Sequence, residues 1–155
     1  GTDVRGRLSR ASKEELEISG AEFSLSHLAS DWRIEEFHDC QRIAAKGTVY
    51  VTKTVLFPAR FIYLERTGEV AGNEASYRNY VQEFDGPDVE LVRRGYQWRM
   101  ESVPPPPGEV TALLENGLIP LYRRFIDIYT GNLRGHGEQE LVRRLERWRG
   151  RIDVS

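Results

Sequence analysis

The chain has 155 residues, 39% of them hydrophobic and 30% charged, a length that lets one domain bury roughly 70% of its unfolded surface without a metal or a disulfide. Its formal net charge of −2 supplies no global attraction to nucleic acid or to an anionic membrane, and its composition is that of a folded protein and not a disordered tail. Cys40 is the sole cysteine, no apolar run reaches the roughly 18 residues of a membrane span, and the N-terminal GTDVRGRLSR lacks the apolar centre of a signal peptide, so a cytoplasmic location is the expectation.

Helical periodicity dominates. Ala21, Leu25, Leu28 and Trp32 fall at i, i+4, i+7 and i+11 on one helix face, with Ser12 expected as N-cap, Glu14 and Glu15 in the first turn, and Gly20 as a weak point that could split the helix. The polar stretch RIEEFHDCQRIAAKG separates this helix from the next. From Thr48 to Thr67 the apolar positions Val49, Val51, Val55, Leu56, Phe57, Ala59, Phe61, Ile62 and Leu64 go almost right round the helix, which suits the middle of a bundle. A strand over Val49–Val55 is the rival reading, but the length of the run and Gly68 as its stop favour a helix kinked at Pro58. Asn73 is expected to cap a short helix to Phe84, and Asp88 to open another to Met100 that carries Val89, Val92, Tyr96 and Arg99 on one face. Pro104 to Pro107 read as a stiff connection. Leu114, Leu118, Leu121, Phe125 and Ile128 repeat a 4-3-4-3 spacing that Gly117 and Pro120 are expected to interrupt and Gly131 to end, and Leu141, Leu145, Trp148 and Ile152 line a last helix. The fold class is all-α: a roughly antiparallel helical bundle of five to six helices, forming a single domain over residues 1–155 with residues 1–11 read as a linker remnant.

The run from Thr54 to Asn73, TVLFPARFIYLERTGEVAGN, joins an apolar helix holding Ala59-Arg60 to a Thr67-Gly68 turn and the start of a polar helix. It resembles the first long helix of the C-terminal accessory domain in bacterial nucleotidyltransferases of the aminoglycoside adenylyltransferase type, a resemblance that covers about Val49 to Met100. Gly1-Thr2-Asp3-Val4 is similar to the segment that leaves the catalytic domain of that family. The resemblance implies a bundle of the nucleotidyltransferase substrate-binding type, which helps to bind nucleotide and a small-molecule acceptor. Nucleotidyl transfer in that family needs a Gly-Ser turn and an Asp-x-Asp pair that hold nucleotide phosphates and Mg²⁺, and this chain contains neither. It is therefore expected to be inert alone and to need a missing N-terminal catalytic domain or partner subunit, where Mg²⁺ and ATP or another nucleoside triphosphate would be used.

Two positions carry over from the family. Tyr96 stands where a tyrosine contacts the nucleotide, with a core aromatic as the alternative. Asn73 stands where members often have a lysine for the triphosphate, and it supplies only a neutral amide donor in place of a full charge; a helix N-cap is its alternative. Arg60 follows from the residues alone: a guanidinium in an apolar helix must find a carboxylate, a carbonyl, solvent or an anion. Lys46, Lys53 and Arg60 are spaced by seven and, if the helix runs that far, share one stripe that could face a phosphate-bearing ligand; a structural salt bridge from Arg60 to Glu69, Glu83 or Asp127 is the commoner outcome for such an arginine.

Trp32, Glu35, Glu36, His38 and Asp39 gather an aromatic and three carboxylates, a composition that aminoglycoside-modifying relatives use near here to hold a cationic antibiotic. Register from Ala59-Arg60 puts Lys46 and Tyr50 where those acids belong, so the segment is read as a solvated acidic face. Arg33 and His38 repeat the Arg-x4-His spacing of HEPN-type ribonucleases, a third functional reading. No His/Cys set has metal-ligand spacing, Cys40 has no nucleophile partner, and the Arg143–Arg151 segment alternates with Glu140 and Glu146 as a solvated face. The competing class is a non-enzymatic helical interaction module that dimerises through an apolar patch.

Overall fold

The computed structural model describes residues 2–154, with side chains from Lys13 to Val154, and is all-helical, with no strand among the described residues. The described residues form eight helices: α1 (Thr2–Leu28), α2 (Asp31–Phe37), α3 (Cys40–Ala45), α4 (Thr48–Thr67), α5 (Asn73–Glu83), α6 (Pro87–Met100), α7 (Pro107–Gly135) and α8 (Gln139–Asp153). The count exceeds the expected five to six because the polar stretch after Trp32 folds into the two short helices α2 and α3. Each of these turns is too short to repeat a helical period, carrying one buried i, i+3 pair, Ile34 with Phe37 and Cys40 with Ile43.

The apolar sweep of α4 places it in the middle, where it packs against α1, α3, α5, α6 and α7. Val51, Val55, Leu56, Ala59, Ile62 and Leu64 are buried, and Gly68 ends the helix in the left-handed region at φ 72° with its N–H on the Leu64 carbonyl, as a C-terminal glycine should. Pro58 has no N–H, so the buried carbonyl of Thr54 loses its helical donor. The Tyr122 hydroxyl of α7 donates to that carbonyl at 2.7 Å, and the Tyr129 hydroxyl donates to the Phe61 carbonyl at 2.7 Å. Burial raises both phenols above their usual range and keeps them neutral donors.

Replacing Tyr122 by phenylalanine is expected to cost about 1–2 kcal/mol, the price of a buried acceptor left unpaired. In a Pro58→Ala background, where residue 58 regains its N–H, the same replacement is expected to cost less. Urea denaturation of the four proteins measures the difference, and equal costs in the two backgrounds would remove this account of Tyr122.

Both tyrosine bonds span 68 residues, so α4 and α7 run in the same direction. Helix α6 runs against both: Gly95 faces Val55, Leu91 faces Gly117, and Arg94 pairs with Glu109. Helix α8 returns along α7 through the pairs Arg123–Asp153, Arg149–Asp127 and Arg134–Glu146. The α6–α7 and α7–α8 neighbours are thus antiparallel, and α4 and α7 are parallel.

Several expected helix boundaries move. Ser12 is not a cap, because α1 begins at Thr2 and continues through Gly20 to Leu28, and Trp32 belongs to α2. Asn73 is the first residue of α5, with Gly72 in the N-cap position and no side-chain cap. Helix α7 passes through Gly117, Pro120 and Gly131 without a break. Pro120 leaves the carbonyl of Asn116 without its helical donor, but Asn116 is exposed and water can serve it. Leu141, Leu145, Trp148 and Ile152 are all buried, as their spacing indicated.

Three helices are tied by one buried carboxylate. Asp88 accepts from the Tyr80 hydroxyl at 2.6 Å and from Arg124 Nε at 2.7 Å and Nη2 at 3.2 Å, while the Arg124 guanidinium lies 4.4 Å over the Phe84 ring. Hydrogen bonding to Asp88 raises the Arg124 pKa further above its usual range.

Candidate anion-binding groove

Lys53 and Arg60 stand two turns apart on the outward stripe of α4, where the helix is not covered by a neighbour. The stripe meets the first residue of α5 and the last turn of α6, so Lys53, Arg60, Asn73 and Arg99 converge on a small cavity of about 70 Å³ completed by Thr52, Leu56 and Phe57. Among the described residues no carboxylate lies within ion-pair distance of Lys53, Arg60 or Arg99, and no acidic residue lines the cavity. The N-terminus of α5 adds free backbone N–H groups and the positive end of a helix dipole. The lining is built to meet negative charge.

A second, larger cavity of about 260 Å³ adjoins the first through Phe57 and Arg60, and is lined by Phe23, Phe57, Phe61, Leu64, Val70 and Ala71 besides Arg60. Phe23 of α1 sits 6.2 Å from Phe57 and 5.8 Å from Phe61 by ring centroid, and 4.3 Å from the His27 ring. Phe23 is 41% exposed and Val70 74%, so the aromatic cluster is open to solvent on one side.

The structure brings together two of the three site residues expected from sequence. Arg60 is exposed and pairs with none of Glu69, Glu83 or Asp127. Asn73 joins it, together with Lys53. Tyr96 lines neither cavity: it stacks on Tyr77 at 4.5 Å with ring planes 6° apart, half-buried on α6 one turn before Arg99. Lys46 does not extend the stripe, because α4 begins only at Thr48 and the Lys46 ammonium binds Glu36 at 3.0 and 3.2 Å.

The segment read as a solvated acidic face is solvated only in part. Glu35 and Asp39 reach Arg42 at the surface, whereas Glu36 is 2% exposed and also accepts from the Tyr50 hydroxyl at 2.8 Å. Burial, then the bond to Glu36, pushes the Tyr50 phenol up. Arg33 donates to Tyr50 at 2.7 Å and lies over the Trp32 ring at 4.8 Å, while His38 meets the Arg151 carbonyl at 3.4 Å. Arg33 and His38 thus serve different neighbours and form no shared site within the chain. The Cys40 thiol is buried and pushed up to about 11 by desolvation, the opposite of an activated nucleophile. Among the described residues no group of three or more His, Cys, Asp or Glu side chains could hold a metal.

Comparison with protein-family models, curated proteins and solved structures finds no match to this chain. Arg99 and Phe23 are the site residues that sequence reading missed. Arg99 reads as part of an α6 face and Phe23 lies off the apolar periodicity of α1, and only the packing of three helices brings them to α4.

Proposed function

We propose that this chain is the helical, nucleotide-binding part of a nucleotidyltransferase whose catalytic carboxylates lie on another domain or subunit. The observation that carries the reading is the convergence of Lys53, Arg60, Arg99 and Asn73 on one cavity with no carboxylate among the described residues to neutralise them. Three uncompensated cations on a rigid helical face repel one another, and an anionic ligand removes that repulsion. The charge that Asn73 does not bring, by comparison with the lysine of the resembled family, is available from Lys53 and Arg99. The resemblance over about Val49 to Met100 supports the nucleotide as the anion, although Tyr96, the tyrosine it implies at the nucleotide, stacks on Tyr77 and lines neither cavity.

In this role the bundle contributes binding and orientation. The catalytic part supplies the Mg²⁺-binding carboxylates and the base, with Mg²⁺-ATP or another nucleoside triphosphate as substrate.

Titration of the chain with ATP, followed by backbone amide NMR, is expected to shift Lys53, Arg60, Asn73 and Arg99. Lys53→Glu with Arg60→Glu is expected to weaken ATP at least tenfold, because two attractive contacts become repulsive. Both side chains are exposed, so the fold should survive the change. ATP that leaves these amides unmoved, or that binds the double variant equally well, would sink the reading.

A further inference from the structure

The larger cavity has a chemistry of its own. Its lining is apolar and aromatic except for Arg60, with no carboxylate among the described residues. A polycation would find nothing there to pair with and would meet Arg60 at the wall, with Lys53 and Arg99 in the adjoining pocket. Phe23, Phe57 and Phe61 touch one another at centroid separations of 6.2, 5.8 and 6.3 Å, so a flat apolar group lies against the cluster and not between its rings, and the mutual angles of 80°, 54° and 34° offer it both ring faces and ring edges. The volume of about 260 Å³ accommodates a body of about two fused rings. Arg60 is common to both cavities, so whatever occupies the aromatic groove lies beside whatever occupies the basic pocket.

Resting on the nucleotide reading of the basic pocket, we propose that the Phe23–Phe57–Phe61 groove binds the acceptor, an aromatic or aliphatic hydroxyl compound that carries no positive charge. In the transfer the acceptor oxygen forms a bond to the α-phosphorus of the nucleoside triphosphate. The bond from that phosphorus to its bridging oxygen breaks, pyrophosphate leaves, and the hydroxyl proton passes to the base of the catalytic part. Among its described residues the groove offers a cationic acceptor no carboxylate and presents Arg60 to it.

Three probes of one shape and different charge test this: naphthyl-methanol, naphthalene-sulfonate and naphthylmethyl-ammonium, each titrated into the intact chain and followed at the amides of Phe57, Phe61, Leu64 and Val70. The alcohol and the sulfonate are expected to bind with saturable shifts, and the ammonium at least tenfold more weakly. Phe23→Asp and Val70→Asp, both at exposed positions, are each expected to weaken the alcohol at least fivefold. The proposal is overturned by an ammonium that binds as well as the alcohol, or by variants that leave the alcohol unaffected. Self-association that Phe23→Asp abolishes, with no probe moving these amides, would likewise overturn it and assign the face to a second copy of the chain. Failure of ATP to bind while the alcohol still depends on Phe23 would remove the nucleotide reading and leave the groove as a site for uncharged aromatics.

Discussion

Asp88→Ala is expected to destabilise the fold by about 3 kcal/mol, the lower end of the range for removing one member of a buried ion pair. Asp88 is 1% exposed and answers three donors, one from buried Tyr80 of α5 and two from Arg124 of α7. Alanine leaves the Tyr80 hydroxyl without its acceptor and the guanidinium without its counter-charge. The Arg124 side chain is 30% exposed, so water takes over part of its solvation, which argues for the lower end. Asp88→Asn keeps an acceptor for Tyr80 and loses the charge, and is expected to fall between wild type and alanine. Replacing Asp88 and Arg124 together is expected to cost less than the sum of the single changes, because no charge is then left unpaired. Urea midpoints at constant slope compare wild type with the two Asp88 variants, the Arg124 variant and the double variant, and an Asp88→Ala protein within about 1 kcal/mol of wild type would show that the triad contributes little beyond one ordinary hydrogen bond.

The same substitution at two glycines of α7 is expected to have opposite signs. A Cβ on Gly117 would stand 2.7 Å from the Pro87 carbonyl oxygen and 2.9 Å from Leu91 Cβ, whereas one on Gly131 would meet nothing within 4 Å. At Gly117 the obstruction is the backbone at the start of α6, which has no rotamer to change. The helix must back away along its contact with α7, so the cost is expected at or above the upper end for overpacking, about 3 kcal/mol. Gly131→Ala gains helix propensity with no clash and is expected to stabilise by up to about 1 kcal/mol. Thermal melts of the two variants check the contrast, and a Gly117→Ala protein as stable as wild type would mean that α6 can shift freely.

Gly117 also shows why local reading of α7 went wrong. Glycine and proline inside an apolar repeat read as breaks because, taken alone, they lower helical stability. Here Gly117 is what lets α6 approach, and Pro120 frees only a carbonyl that solvent reaches. Periodicity was sufficient where one face of a helix meets the core, as in α8, and where nearly all faces do, as in α4. It was insufficient for α2 and α3, which exist because Ile34, Phe37 and Ile43 are covered by other helices. At the site, the spacing of Lys53 and Arg60 was legible, since seven residues bring a helix back to the same face. Lys46 has that spacing too, but the chain turns at Gly47 (φ 99°) and gives its ammonium to Glu36. Arg99 and Phe23 could not be placed, because their proximity to α4 depends on how α6 and α1 pack against it.

The bond from Tyr122 to Thr54 bears on the order in which the protein can be completed. During synthesis the central helix emerges with an open acceptor next to Pro58, and the hydroxyl that closes it follows 68 residues later. Until α7 arrives, water or a non-native donor must occupy that carbonyl, and the apolar stripe around it stays uncovered. The ends of this contact are therefore far apart in time as well as in sequence. A nascent chain halted before Tyr122 should hold α4 as a loose helix, and the core closes only when α7 is laid alongside it.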